Sequence, residues 1–227
     1  LITKPLLQHF RLAFTPSRRH NRFTKTTPGA FMSLENPRIA DHPVDPIFLN
    51  RWSPRAFTGE AIPQATLFTI LEAARWAPSS YNSQPWRFLY ATRDNAHWDK
   101  FLGLLNEFNQ SWAKTGSAII FVVSETTMVV PGKDARVPSH SHSFDAGAAW
   151  GSLALQASIL GWHAHGMVGI ELERIRTELK VPGDHRVEAG IVIGKQGPKT
   201  LLPEMLQARE FPSPRKPLAE IAFEGSF

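Results

Sequence analysis

The sequence predicts one folded domain of alternating helices and strands, and three observations carry that prediction. Of 227 residues, 42% are hydrophobic and 20% charged, which suits one packed core and argues against global disorder. Residues 118–124 form an unbroken apolar, β-branched run, the pattern of a strand buried on both faces. Residues 144–160 are apolar almost all round at helical length, which places a helix in a core or an interface.

The elements follow in order. A short helix is expected over 46–51, after Pro43 and Pro46. Residues 63–77 place Leu67, Ile70, Leu71 and Ala74 at helical spacing, with Pro63 suited to a first turn and Pro78 as a stop. A strand is expected over 86–91. One helix is expected over 95–109, with Trp98, Phe101, Leu102 and Leu105 on one face. After the 118–124 strand and the 144–160 helix come a short strand over 163–169 and a helix over 172–179, ended near Pro182. In the last strand, 186–194, Val187, Ala189, Ile191 and Ile193 alternate. The tail from Lys195 is rich in proline and charge, with one apolar patch at 218–223. Such a tail is expected to pack across something else, a partner subunit being a good candidate.

The net charge of +5 is unevenly placed. Residues 1–31 hold six basic residues and no acid, whereas the remainder has 19 basic and 20 acidic residues. The body is nearly neutral, so nucleic-acid binding by it is not expected. For residues 1–31 three readings stay open: a start preceding the natural Met32, a targeting segment, or an arm touching nucleic acid or membrane. Pro5, Pro16, Pro28 and Gly29 break any long amphipathic helix there. The expected organisation is a basic extension over 1–31 and a folded domain over 32–227. No run of 18 apolar residues exists, so no membrane span is expected. The chain has no cysteine, which excludes disulfides, thiolate metal sites and a Cys nucleophile, so redox chemistry needs a borrowed cofactor. A reducing cytosol is permitted, and a cytoplasmic location is the expectation, with organelle targeting by residues 1–31 kept open.

Most catalytic signatures are missing. There is no Gly-x-Gly-x-x-Gly after a strand, no Walker loop and no Gly-x-Ser-x-Gly. Two His-x-His pairs occur, His140/His142 and His163/His165. Without a well-spaced third ligand, the first pair reads as solvated loop histidines and the second as satisfied core or pocket histidines.

The informative stretch is 51–91. Arg51-Trp52-Ser53-Pro54-Arg55 puts two guanidiniums and a hydroxyl within five residues, able to converge on one anion. Arginine's planar fork pairs bidentately with phosphate oxygens. A solvated basic turn would carry the same residues. Residues 77–86 leave a helix for a strand through small polar and amide side chains bracketed by prolines. Asn and Gln each present a donor and an acceptor, which suits the edge of a heterocycle; an ordinary polar turn is the alternative.

Arg51-Trp52-Ser53-Pro54-Arg55-Ala56-Phe57 resembles the Arg-x-Ser-x-Arg-x-Phe opening of the nitroreductase family of flavoenzymes. Residues 78–88, Pro-Ser-Ser-Tyr-Asn-Ser-Gln-Pro-Trp-Arg-Phe, are similar to its Pro-Ser-Ser-x-Asn-x-Gln-Pro-Trp-x-Phe segment. Weaker likenesses lie at Asp145-Ala146-Gly147 with Gln156-Ala157 and Gly161-Trp162, at 166–169, at 190–194 and at Arg215-Lys216-Pro217.

The resemblance implies an α+β fold: a three-layer α-β-α sandwich around a mixed central sheet, in an intertwined homodimer with FMN at the interface. It implies that Arg51, Ser53, Arg55 and Arg215 hold the phosphate and ribityl chain, with the Trp52 backbone. Pro78, Ser79, Ser80, Asn82 and Gln84 would reach the ring from the other subunit. Val168 and Gly169 would offer backbone N–H groups near flavin N5. No side chain is expected to transfer protons, and no metal is expected. Trp112 and Phe144 are candidate cleft walls, with core packing as the other role. The implied activity is hydride uptake from NAD(P)H and reduction of nitroaromatics, quinones or similar flat electrophiles, by a ping-pong scheme. Rival readings are a flavin storage or sensor module, or a same-fold enzyme that dehalogenates, oxidises heterocycles or fragments flavin. Two departures stand out: the family often has an acid where Val168 stands, and a lysine where Ser213 stands, so a phosphate charge is expected to be missing.

Overall fold

The computed structural model describes residues 36–227. The extension expected over 1–31, and residues 32–35 of the body, lie outside the described residues.

Four strands form one sheet in the order β1-β2-β6-β5: β1 (Trp86–Thr92), β2 (Ala118–Glu125), β5 (His163–Met167) and β6 (His185–Gly194). All three pairings are antiparallel, with Phe88 opposite Val122, Phe121 opposite Gly190 and His165 opposite Val192. The expected mixture of parallel and antiparallel pairing is therefore absent among the described residues. A two-stranded ribbon, β3 (Thr127–Met128) with β4 (Val137–Pro138), is an addition whose two-residue strands are too short to show a periodicity.

Alternation along β2 builds the layers. Ala118, Ile120 and Val122 face α2 (Gln64–Arg75) and α5 (His142–Ile159); Ile119, Phe121 and Val123 face the other way. The second face is covered by α3 (Trp98–Leu102), α4 (Glu107–Ala113) and α6 (Leu172–Glu178), through Trp98, Phe101, Trp112 and Ile175. The result is the three-layer α-β-α arrangement. Each large side chain buried this way contributes about 1.5–3 kcal/mol.

Two short helices complete the order, α1 (Pro46–Asn50) and α7 (Glu204–Gln207). In α1, Asp45 accepts the Ile47 N–H at 2.9 Å and Pro46 occupies the first turn. Pro63 sits at the N-cap of α2 rather than inside its first turn.

The single helix expected over 95–109 is two helices instead. Between them, Leu104, Leu105 and Asn106 pair with the segment after β5: Asn106 N–H donates to Gly169 O, Glu171 N–H to Leu104 O, and Leu105 bridges Ile170. Asn106 then caps α4 by accepting the Asn109 N–H at 2.9 Å. Tertiary pairing overrides helical spacing at this point. No helix among the described residues is long and apolar enough to cross a membrane.

Candidate cofactor site

Residues 51–57 leave α1 as extended backbone, and extension sorts them onto two faces. Trp52, Pro54 and Ala56 are buried, while Arg51, Ser53 and Arg55 are half-exposed on the other side. Glu210, itself buried, pins the segment from below by accepting the Arg55 and Ala56 N–H groups at 2.7 and 2.8 Å. Burial raises the Glu210 pKa, against the pull of those bonds and of the Arg55 charge.

The expected residues Arg51, Ser53, Arg55 and Arg215 line one basin of about 460 Å³, with Trp52. Two further arginines missed by sequence reasoning, Arg38 and Arg209, line it too. Five guanidiniums thus converge, and among the described residues no carboxylate lines the basin. The charge expected to be missing at Ser213 is supplied from elsewhere in the chain. Ser213 has a structural role instead, because its carbonyl accepts from Arg38 Nε at 2.7 Å. Arg38 also donates to the Leu49 and Arg51 carbonyls, at 3.0 and 2.7 Å, and so fastens the C-terminal segment to the end of α1. Nothing local in sequence links Arg38 to Ser213.

The electrostatics ask for an anion. Burial, then the Arg215 charge, lowers the Arg51 pKa; burial and then Arg215 and Arg51 lower that of Arg38. Burial also lowers Arg55, partly offset by Glu210. Arg55 Nε is buried without a partner. Such crowded cations, with a spare donor, fit a phosphate monoester.

His165 lines the same basin, where sequence reasoning expected only a core or pocket histidine. Its Nδ1 lies 2.9 Å from Pro54 O, and its ring packs on Trp112 at a tilt of 37° with centroids 4.6 Å apart. Burial lowers its pKa to about 4, helped by Arg55 and Arg51 and opposed by the Pro54 and Ser53 carbonyls. His163 is also lowered to about 4, by burial, then Lys195 and Arg51, and its Nδ1 is buried without a partner. It is a half-buried histidine, but not a satisfied one.

A larger cavity of about 720 Å³ adjoins, sharing Arg51, Ser53 and Gly166 with the basin. Its walls are largely apolar: Gly147, Trp150, Gly151 and Leu155 of α5, with Met167 and Val168 at the end of β5. Val168 is 82% exposed. The Gly169 carbonyl accepts from Asn106 N and from Asn109 Nδ2, at 3.1 and 2.9 Å. A Cβ at 169 would lie 2.5 Å from Asn109 Nδ2, so any side chain there would displace the asparagine amides that hold this backbone. Asn106 and Asn109 were not anticipated; their signal was a capping spacing inside an apparently continuous helix.

Pro78, Ser79, Ser80, Asn82 and Gln84 border neither the basin nor the cavity within one chain. Their loop is tied to α5 instead: buried Asp145 accepts from Ser80 N–H at 3.2 Å and from Ser141 Oγ at 2.9 Å. Tyr81, Asn82 and Gln84 lie in the left-handed region of backbone space, with φ of 50°, 52° and 49°. Held strain of this kind, about 1–3 kcal/mol per residue, clusters at functional segments.

Two other expectations change. His142 is not a solvated loop residue: it begins α5, with Nδ1 2.7 Å from Ser124 Oγ and 3.4 Å from Glu188. Of the two candidate cleft aromatics, Trp112 is core, but Phe144 is 81% exposed and packs in no core. No cluster of three metal-ligating side chains occurs among the described residues.

Comparison with known proteins agrees with this geometry. The family model described as "Nitroreductase family" matches residues 49–111. A solved structure described as an oxidoreductase containing FMN is 52% identical, with a TM-score of 0.82, over 86% of this chain and 98% of that one. A Desulfovibrio desulfuricans structure solved in complex with FMN is 27% identical, with a TM-score of 0.60, over 82% of this chain and 99% of that one. The oxygen-insensitive NADPH nitroreductase of Helicobacter pylori is 42% identical over 55 residues, 24% of this chain and 25% of its own. The match likewise covers about a quarter of YdgI of Bacillus subtilis, 26% of its length. With an arginine basin where the family's opening motif falls and likeness to an FMN oxidoreductase over 86% of this sequence, the chain belongs to the nitroreductase family.

Proposed function

We propose that the protein is an FMN-dependent oxidoreductase that takes hydride from NAD(P)H and passes it to flat electrophiles such as nitroaromatics or quinones. The observation that carries this reading is the convergence of Arg51, Ser53, Arg55 and Arg215 on one acid-free basin opening toward an apolar cavity. FMN, when bound, supplies hydride transfer in two half-reactions, first from the nicotinamide and then to the acceptor. The protein's residues bind and orient. Arg51, Arg55 and Arg215, with Ser53 and the Trp52 backbone, hold the phosphate end. The backbone N–H groups of Val168 and Gly169 would face developing charge on the ring, and Asn106 and Asn109 fix the adjoining backbone by gripping the Gly169 carbonyl. The apolar walls of the cavity exclude water.

The working unit in this reading is a homodimer. Pro78, Ser79, Ser80, Asn82 and Gln84 complete the site from the partner, because within their own chain they lie away from it. The cavity face of α5 supports the same conclusion. Gly147 and Gly151 stand one turn apart in the helix interior, and a Cβ at either meets nothing within 4 Å. An interior helical glycine costs about 0.5–1 kcal/mol relative to alanine, so close approach by a second surface is the reason to keep two. Leu218, Ile221 and Phe223 of the tail, each 42% or more exposed, offer a further apolar contact.

The purified protein is expected to be yellow, dimeric by sedimentation equilibrium, and bleached by NADH or NADPH without oxygen. A quinone or nitroarene then restores the colour. A colourless protein that takes up no FMN overturns the assignment. A yellow protein that neither nicotinamide bleaches is a storage module instead.

A further inference from the structure

The basin that the arginines build is made almost wholly of donors. A guanidinium donates and never accepts, so five of them define where phosphate oxygens sit but say nothing of a ligand's hydroxyl groups. Among the lining side chains, His165 alone can offer an acceptor nitrogen. Its Nδ1 is 2.9 Å from Pro54 O, and a carbonyl only accepts, so Nδ1 carries the ring proton. Tilted packing against Trp112 and near-complete burial hold the ring in that orientation. His165 lines the basin, and the ring nitrogen left without the proton is Nε2, a bare lone pair.

We propose that His165 is a specificity-determining residue, whose Nε2 accepts a hydrogen bond from a hydroxyl of the phosphorylated polyol chain and so selects such a chain over a bare alkyl phosphate. The inference rests on the flavin reading above and adds to it a residue outside the recognised motifs. The charges facing the ring act to keep Nε2 unprotonated. Burial removes water and the Arg55 and Arg51 charges oppose a second proton, while only the Pro54 and Ser53 carbonyls favour it, leaving a pKa of about 4. The Ser53 and Ser213 hydroxyls, engaged by Arg51 at 3.3 Å and by Arg215 at 3.2 Å, also belong to lining residues, but each can donate as well as accept and does not discriminate.

The experiment titrates cofactor-free protein with two flavins, FMN and an analogue whose ring and phosphate are joined by an alkyl chain without hydroxyls. Binding is read by quenching of flavin fluorescence. His165→Phe keeps a flat ring on Trp112 but removes the acceptor. It is expected to weaken FMN about tenfold, the size of one neutral hydrogen bond, and to leave the analogue unchanged. His165→Gln, which restores an acceptor, is expected to recover most of the FMN affinity. In wild-type protein labelled with ¹⁵N at histidine, FMN is expected to move the Nε2 resonance and the analogue to leave it in place, a readout independent of how well a variant folds. Equal losses for the two ligands in His165→Phe, or an Nε2 resonance unmoved by FMN, would overturn the proposal while leaving the flavin reading intact. Wild-type protein that binds neither flavin defeats the flavin reading, and the role of His165 with it.

Discussion

At the scale of the residue, the arginines of the basin differ in what holds them. Arg38 is tied to three backbone carbonyls and is structural as well as cationic, whereas the Arg55 side chain has a buried Nε with no partner. Arg55→Ala therefore removes charge and donors without removing the Glu210 bonds, which use the backbone of residues 55 and 56. It is expected to weaken FMN by about 10- to 100-fold, matching one charge-assisted hydrogen bond, with unfolding by urea little changed. His163 supports a pH prediction. Its folded pKa of about 4 lies below the unfolded value of 6.5, so the unfolded chain binds the extra proton between those limits. Its contribution is complete above pH 6.5 and is lost as pH falls to 4. His163→Asn is expected to lose less stability than wild type between about pH 7 and pH 5 in urea melts. His165 and the oppositely shifted Glu210 are common to both proteins and cancel in that difference. The Arg51–Ser53–Arg55 face was legible in sequence because period-two spacing survives in any extended chain. Arg38, Arg209 and His165 were not, because nothing in their neighbours says which surface they reach.

At the scale of the element, α5 is the informative one. Its all-round apolar pattern left core and interface undecided; one face proves to be core and another lines the cavity. Ala149, Leu153 and Ala157 are fully buried against the sheet and α2, while Gly147, Trp150, Gly151 and Leu155 line the cavity. If that second face meets another copy of the chain, a bulky side chain at its glycines has no room in the dimer and open space in the monomer. Gly151→Leu is expected to shift sedimentation from dimer to monomer and to reduce FMN retention about tenfold or more, with helical circular dichroism preserved. A dimer unaffected by this change would remove α5 from the interface. The broken helix over 95–109 teaches the converse. Its apolar spacing was real, since Trp98, Phe101 and Leu105 are buried, but the chain leaves the helix at Gly103 because Leu104 to Asn106 gain backbone partners around Gly169. Those partners lie far along the chain, beyond the reach of any local pattern, as the separation of 60 residues between Asn109 and Gly169 shows.

At the scale of the whole molecule, cofactor and fold are linked. The basin joins the 51–57 segment, the end of β5 and the tail through Arg209 and Arg215, so an anion there fastens three parts of the chain. FMN at about 100 times its dissociation constant is expected to stabilise the protein by about 2.7 kcal/mol in thermal or urea unfolding. Riboflavin, which lacks the phosphate, is expected to give much less at equal concentration; equal stabilisation would detach the arginines from the cofactor. Local sequence was enough to announce the helices and strands with their own periodicity and the two motifs that the nitroreductase family shares. Those properties depend on residues close together in the chain. The antiparallel pairing of the whole sheet, the two extra arginines, the neutral histidine beside them, and the separation of residues 78–84 from the basin emerged with the tertiary fold. Each of these depends on which distant backbone comes to lie alongside, and that is set by burial and pairing across the molecule rather than by spacing along it.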